Sequence, residues 1–205
     1  MTARGVVQSP VLVGRDEFLA LARNRLAQAA DGAGQLLFVA GEAGIGKSRL
    51  LGAIAREARA DDFAVARAAA FPDDVQSLAG LLLDLASDLS GAEEPGLSEL
   101  GQRLAARVRS TSAEAGDAHH RRRLLVQDVA DLLVPAGSGA PLLIVLEDLH
   151  WADELSLDVL GHLAGRLAAR PVLVGRDEFL ALARNRLAQA ADGAGQLLFV
   201  AGEAG

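Results

Sequence analysis

The chain has 205 residues, a net charge of −7 and 51% hydrophobic residues, enough apolar content for one domain with a core and too much for a disordered chain. It has no cysteine and four histidines, which excludes disulfides and thiolate metal sites and argues against structural zinc; the acidic balance gives no basic footprint for nucleic acid. The longest apolar runs, such as LLIVL at 142–146, fall far short of the roughly 20 residues of a membrane-crossing helix, and MTARGVVQSP at the start has no signal-peptide core, so a cytoplasmic chain without a membrane partner is expected.

Phe18, Leu19, Ala22, Leu26 and Ala29 share one face of a helix predicted over Asp16–Ala30, and DGAG at 31–34 ends it. QLLFVA at 35–40 reads as a buried strand. Leu50, Leu51, Ile54, Ala55 and Ala58 mark a helix starting near Lys47. FAVARAA at 63–69 alternates enough for a second strand. Leu78, Leu81, Leu82, Leu85 and Leu89 predict another helix, 91–96 a loop, and Leu97, Leu100, Leu104 and Val108 a further helix. STSAEAGD at 110–117 reads as a flexible connection, followed by a helix over about 120–134. LLIVL is a third strand, fully buried by its continuous apolarity. Leu157, Leu160, Leu163, Ala164 and Leu167 mark the next helix, and PVLV at 171–174 is a candidate fourth strand. Strands alternating with helices predict an α/β fold with a mostly parallel sheet covered on both faces.

Residues 10–44 and 171–205 are identical over 35 positions. An offset of 161 residues excludes a simple solenoid, whose period is typically about 20–50. Diverged domain repeats would not be identical, so the duplication is recent, engineered or an error of sequence assembly. The expected organisation is one domain over 1–174 and an orphan copy over 175–205. Of the two identical strands, the first is expected at the centre of the sheet, since only it continues into a helix. The second, an apolar strand without a place, would favour self-association.

GEAGIGKS at 41–48 fits the phosphate-loop pattern G-x-x-x-x-G-K-S, with a strand before it and a helix after it. Gly41, Gly44 and Gly46 let the backbone bend around a phosphate, while Glu42, Ala43 and Ile45 contribute backbone amides to an anion nest. Lys47 supplies a point charge for the β- and γ-phosphates, Ser48 a hydroxyl for Mg²⁺, and Arg49 continues the helix start. A ligand-free glycine turn is the alternative. Composition weighs against it: of 20 basic residues 19 are arginine, and the one lysine falls on the motif position, where arginine's planar fork is a poor substitute. Glu147 and Asp148 end the third strand, where open α/β sheets place ligands. Neighbours on a strand face opposite ways. Glu147 is therefore assigned to Mg²⁺ and Asp148 to the attacking water, with the reverse assignment open. His150 is a candidate γ-phosphate sensor or a surface residue, Trp151 packs under the loop, and Asp153 caps the next helix. HHRRR at 119–123 reads as a solvated helix start.

VLVGRDEFLAL, LLFVAGEAGIGKSRLL and LLIVLEDLHWADELSLDVLGHLAGRL together resemble the AAA-type P-loop domain of bacterial signal-transduction (STAND) ATPases, found at the front of large LuxR-type ATP-binding transcriptional regulators. The resemblance covers about 11–174. It implies a P-loop NTPase three-layer fold, incomplete at the C-terminus. It also implies ATP and Mg²⁺ as cofactors, and contact of Val13, Gly14 and Arg15 with the adenine. ATP/ADP is the expected partner and a nucleotide-dependent switch the expected role, with hydrolysis weak or lost. In the family a strand ending in γ-phosphate sensor residues follows the last helix; here GRDEFLALARN replaces it after RPVLV, and no DNA binding is expected of this chain. The rival expectations are a small-molecule kinase built on the same loop and a non-functional fragment. The second GEAG, at 202–205, lacks the lysine, the serine and the helix, and is expected to hold no triphosphate.

Overall fold

The computed structural model describes residues 16–40, 44, 46–110, 118–133, 141–167 and 195–201. In chain order these form α1 (Asp16–Ala30), β1 (Gln35–Ala40), α2 (Lys47–Ala60), β2 (Ala64–Ala69), α3 (Gly80–Ser90), α4 (Pro95–Ser110), α5 (Ala118–Leu133), β3 (Leu142–Glu147), α6 (Glu154–Leu167) and β4 (Gly195–Ala201). Short 3₁₀ turns stand at Pro72–Gln76 and Leu149–Trp151. The candidate strand at 171–174 and the connection at 111–117 lie outside the described residues.

Four strands make one sheet in the order β1-β4-β3-β2. β2 and β3 pair in parallel, and β4 is antiparallel to both neighbours. β1, β2 and β3 therefore run the same way, as an α/β reading expects, and β4 alone runs against them. Period two along β3 splits the core. Leu142, Ile144 and Leu146 join the apolar cluster of α3, α4, α5 and α6, while Leu143 and Val145 join that of α1 and α2. Helices thus cover the sheet on both faces, and all five of these β3 side chains are at most 2% exposed.

The strand order corrects one expectation. The second copy of QLLFVA, not the first, sits between two partners. Two features explain this. The helix after the first copy does not draw it to the centre, because α2 packs across β2 and β3 while α1 lies along β1 and β4. Identical side chains fit either slot, so tethering decides. β1 is held between two helices that pack on each other, whereas residues 168–194, at up to about 3.3–3.6 Å each, can reach either end of the sheet. The pairing is also self-complementary: Leu37 faces Leu198, its own counterpart in the repeat, with the flanking pairs Leu36↔Phe199 and Phe38↔Leu197. The expected strand without a place in a sheet is therefore not what forms.

The opposite edge of the sheet is covered by side chains. On α3, Asp88 accepts the Arg67 amide at 2.8 Å and Asp84 accepts the Ala69 amide at 2.9 Å. Residues four apart on a helix thus satisfy amides two apart on β2, a way to block an exposed edge. α4 then crosses close to the end of α3. Glycine at 101 is required there, since a Cβ would stand 2.4 Å from the Ser90 nitrogen.

Asp153 caps α6, as its sequence position suggests, and does more. At 3% exposure it accepts the Ser156 amide at 2.9 Å, the Ser156 hydroxyl at 2.6 Å and the Ala79 amide at 3.1 Å. Ala79 sits at φ 65, a left-handed conformation that costs a non-glycine residue about 1–3 kcal/mol unless its surroundings enforce it. That turn explains why α3 starts at Gly80 and leaves Leu78 outside, 56% exposed. Asp153→Ala removes a helix cap and strands a buried amide, so it should lower stability by about 2–4 kcal/mol. Urea denaturation followed by circular dichroism checks this, with Asp153→Asn losing less.

Candidate nucleotide-binding site

β1 and β2 point the same way and α2 joins them, so α2 runs back across the sheet. Its first residues, Lys47 and Ser48, therefore lie at the end of the sheet where β1 and β3 finish. The loop between β1 and α2 turns on glycine: Gly44 has φ 79 and Gly46 has φ 92, both in the region that L side chains avoid. At Gly44 a Cβ would meet nothing within 4 Å. Backbone conformation, and not crowding, requires glycine there. Gly46 stands at the N-cap of α2, and the Leu50 amide donates to its carbonyl at 3.1 Å, so the helix is regular from Lys47 onward. Lysine, serine and arginine begin this helix with no acidic residue in its first turn, a pattern that reinforces the positive end of the helix dipole. Val13, Gly14, Arg15, Gly41, Glu42, Ala43 and Ile45 lie outside the described residues.

β3 brings its acids to the same end. By alternation Glu147 continues the Leu143–Val145 face, the one that α1 and α2 cover. Arg67, on the Val65 face of β2, reaches across and pairs with it, Nη2 to Oε1 at 2.5 Å. The Glu147 side chain is only 16% exposed. Its carbonyl also accepts the Ala70 amide at 3.0 Å, which carries the β2–β3 pairing past the last strand residue. Asp148 then adopts φ 55 and is exposed. The chain leaves the strand sharply there, so strand alternation does not extend to Asp148. The 3₁₀ turn follows at once, with the Trp151 amide donating to the Asp148 carbonyl at 2.9 Å.

His150 is half-buried and its ring lies 4.8 Å from that of Trp151, tilted by 46°. Trp151 is 38% exposed. The basic run at the start of α5 is in part structural. Arg122 pairs with Asp158 at 2.8 Å and Glu154 at 3.3 Å. Burial works against its charge, but the two carboxylates outweigh that and raise its pKa above the ordinary arginine value. A broad recess between α4 and α5 lies among Arg103, Arg107, Asp128 and Asp131. It stands on the face away from α2; Arg107 pairs with Asp128 there, and Asp131 pairs with Arg166.

Sequence reasoning missed Arg67. The signal was one charge in the otherwise apolar strand FAVARAA, on the Val65 face. Its meaning depended on the register Arg67↔Val145, which places it two residues short of Glu147 on the neighbouring strand.

The parts assembled at this end are a positive-φ glycine turn, a helix opening with Lys-Ser, and an acid pair closing an apolar strand. These fit a nucleotide phosphate with its cation, since a helix N-terminus favours an anion and hard oxygen donors suit Mg²⁺. Among the described residues no helix is long and apolar enough to cross a membrane. No curated protein and no solved structure matched the chain. The family model described as the AAA ATPase domain matches residues 11–174, well over half of the chain. The chain belongs to the AAA ATPase domain family, with the P-loop α/β fold and the nucleotide binding that this implies.

Proposed function

We propose that the chain is a nucleotide-dependent switch module that binds ATP with Mg²⁺ and hydrolyses it weakly, as in the signal-transduction regulators it resembles. The observation that carries this is the meeting, at one end of the sheet, of the Lys47–Ser48 helix start with the Glu147–Asp148 strand end. Lys47 takes the β- and γ-phosphates at the start of α2. Ser48 and Glu147 hold Mg²⁺, whose charge offsets that of the phosphates. Asp148, exposed beyond the strand, orients water, and Val13, Gly14 and Arg15 meet the base. Arg67 supports the metal role by fixing the Glu147 carboxylate on the α2 face.

The fragment reading loses its main support, because the second strand copy is paired on both edges instead of hanging free. The experiment that tests the proposal is an ATP titration with and without Mg²⁺. In the wild type Mg²⁺ should tighten ATP binding. Glu147→Gln should remove most of that gain, about tenfold in affinity, while Arg67→Ala, which releases the carboxylate, should remove part of it. Equal Mg²⁺ dependence in wild type and Glu147→Gln would move the metal role to Asp148.

A further inference from the structure

The loop from β2 to α3 turns apolar side chains toward water. Phe71, Val75 and Leu78 are each more than half exposed. The loop is ordered by its own polar groups. The Asp74 carboxylate accepts the Phe71 amide at 2.7 Å, and the Ser77 amide donates to the Asp74 carbonyl at 2.8 Å. Both ends are tied to the chain that follows β3. The Ala70 amide donates to the Glu147 carbonyl at 3.0 Å, and the Ala79 amide donates to Asp153 at 3.1 Å. The 3₁₀ turn at Pro72–Gln76 therefore lies against the one at Leu149–Trp151, which adds the partly exposed Trp151. Backbone and carboxylate bonds thus hold four apolar side chains out on two turns in contact. An exposed apolar patch marks an interaction site, and one already ordered loses little entropy when it is covered.

Charge selects the partner. Residues 68–80 and 147–165 contain no lysine or arginine. Asp73 and Asp148 are exposed and form no ion pair among the described residues. Arg67 and Arg122 are already paired, the first with Glu147 and the second with Glu154 and Asp158. The patch is therefore apolar with a negative rim, which repels nucleic acid and anionic lipid and attracts a cationic partner. We propose that these two turns dock a polypeptide segment whose apolar side chains are flanked by arginine or lysine. Its apolar residues cover Phe71, Val75, Leu78 and Trp151, and its cations face Asp73 and Asp148. Trp151 is the expected anchor, since tryptophan is enriched where binding energy concentrates.

Trp151 is the one tryptophan of the chain, so its emission reports on this surface alone. The probe is a synthetic helical peptide with leucine along one face, arginine flanking it and no aromatic residue; its twin carries glutamate in place of arginine. Titrated into the nucleotide-free full chain, the arginine peptide should shift Trp151 emission to shorter wavelength and saturate. The glutamate peptide should bind at least about tenfold more weakly. Val75→Asp should weaken the arginine peptide at least about tenfold, the loss expected at an interface hot spot. Asp73→Asn removes one rim charge without changing shape and should weaken it about two- to fivefold. Phe18→Ser, which removes an equally exposed apolar side chain on α1, should leave it within about twofold. An unshifted emission, equal affinity for the two peptides, or wild-type affinity in both Val75→Asp and Asp73→Asn overturns the proposal. An emission shift that follows protein concentration without peptide overturns it as well, by giving the patch to a second copy of this chain.

Discussion

Lys47→Ala should weaken ATP binding by about 10- to 150-fold, the value of one charge-assisted hydrogen bond of about 1.5–3 kcal/mol. The argument starts from composition. A chain that uses arginine at 19 of 20 basic positions keeps its one lysine at this place. The structure makes that lysine the first residue of α2, directly after a glycine at φ 92. Its ammonium therefore starts where the helix dipole already favours an anion. The loss should be larger for ATP than for ADP, since the lysine reaches the outer phosphates. Lys47→Arg should recover little, because a planar fork needs more room and a different approach than a point charge. Stability should change by less than about 0.5 kcal/mol, as for a substitution outside the core. Isothermal titration together with a urea melt separates the two effects. Unchanged affinity in Lys47→Ala would remove phosphate binding from this loop.

The parts of this site differ in how far the sequence exposes them. Period and punctuation are local, and they set α1 and β1 to the residue and the start of α2 at Lys47. The Asp153 cap was equally local, since Asp just before an apolar-periodic run is a helix-start pattern. Leu78 shows where periodicity fails. Its apolar spacing fits α3, but the left-handed Ala79 breaks the helix before it, and no pattern of side chains encodes that φ. Arg67 was out of reach for another reason. What it can do depends on strand register, and this is fixed by distant pairings. For the two copies of QLLFVA the side chains are identical, so only connectivity and the packing of α1 and α2 could decide which copy takes the centre.

Leu198→Pro tests that decision and should have the largest effect on stability. β4 is paired on both sides, with Leu198 opposite Leu37 on one and Val145 on the other. In a strand with two neighbours every amide faces a partner, so proline removes a ladder bond wherever it falls, and its ring crowds the pairing strand. The cost should be at least about 3 kcal/mol, a large part of the 5–15 kcal/mol that typically separates folded from unfolded domains. Denaturant unfolding followed by far-ultraviolet circular dichroism measures it. A second copy lying outside the sheet would leave stability unchanged, and that result would restore the first copy to the centre. Nucleotide binding should fall with the fold. β4 is the strand that joins β1, with its phosphate loop, to β3, with its acids, and without it Lys47 and Glu147 belong to separate halves of the sheet. A variant that lost stability but still bound ATP at wild-type affinity in the folded fraction would show that the two halves meet without β4.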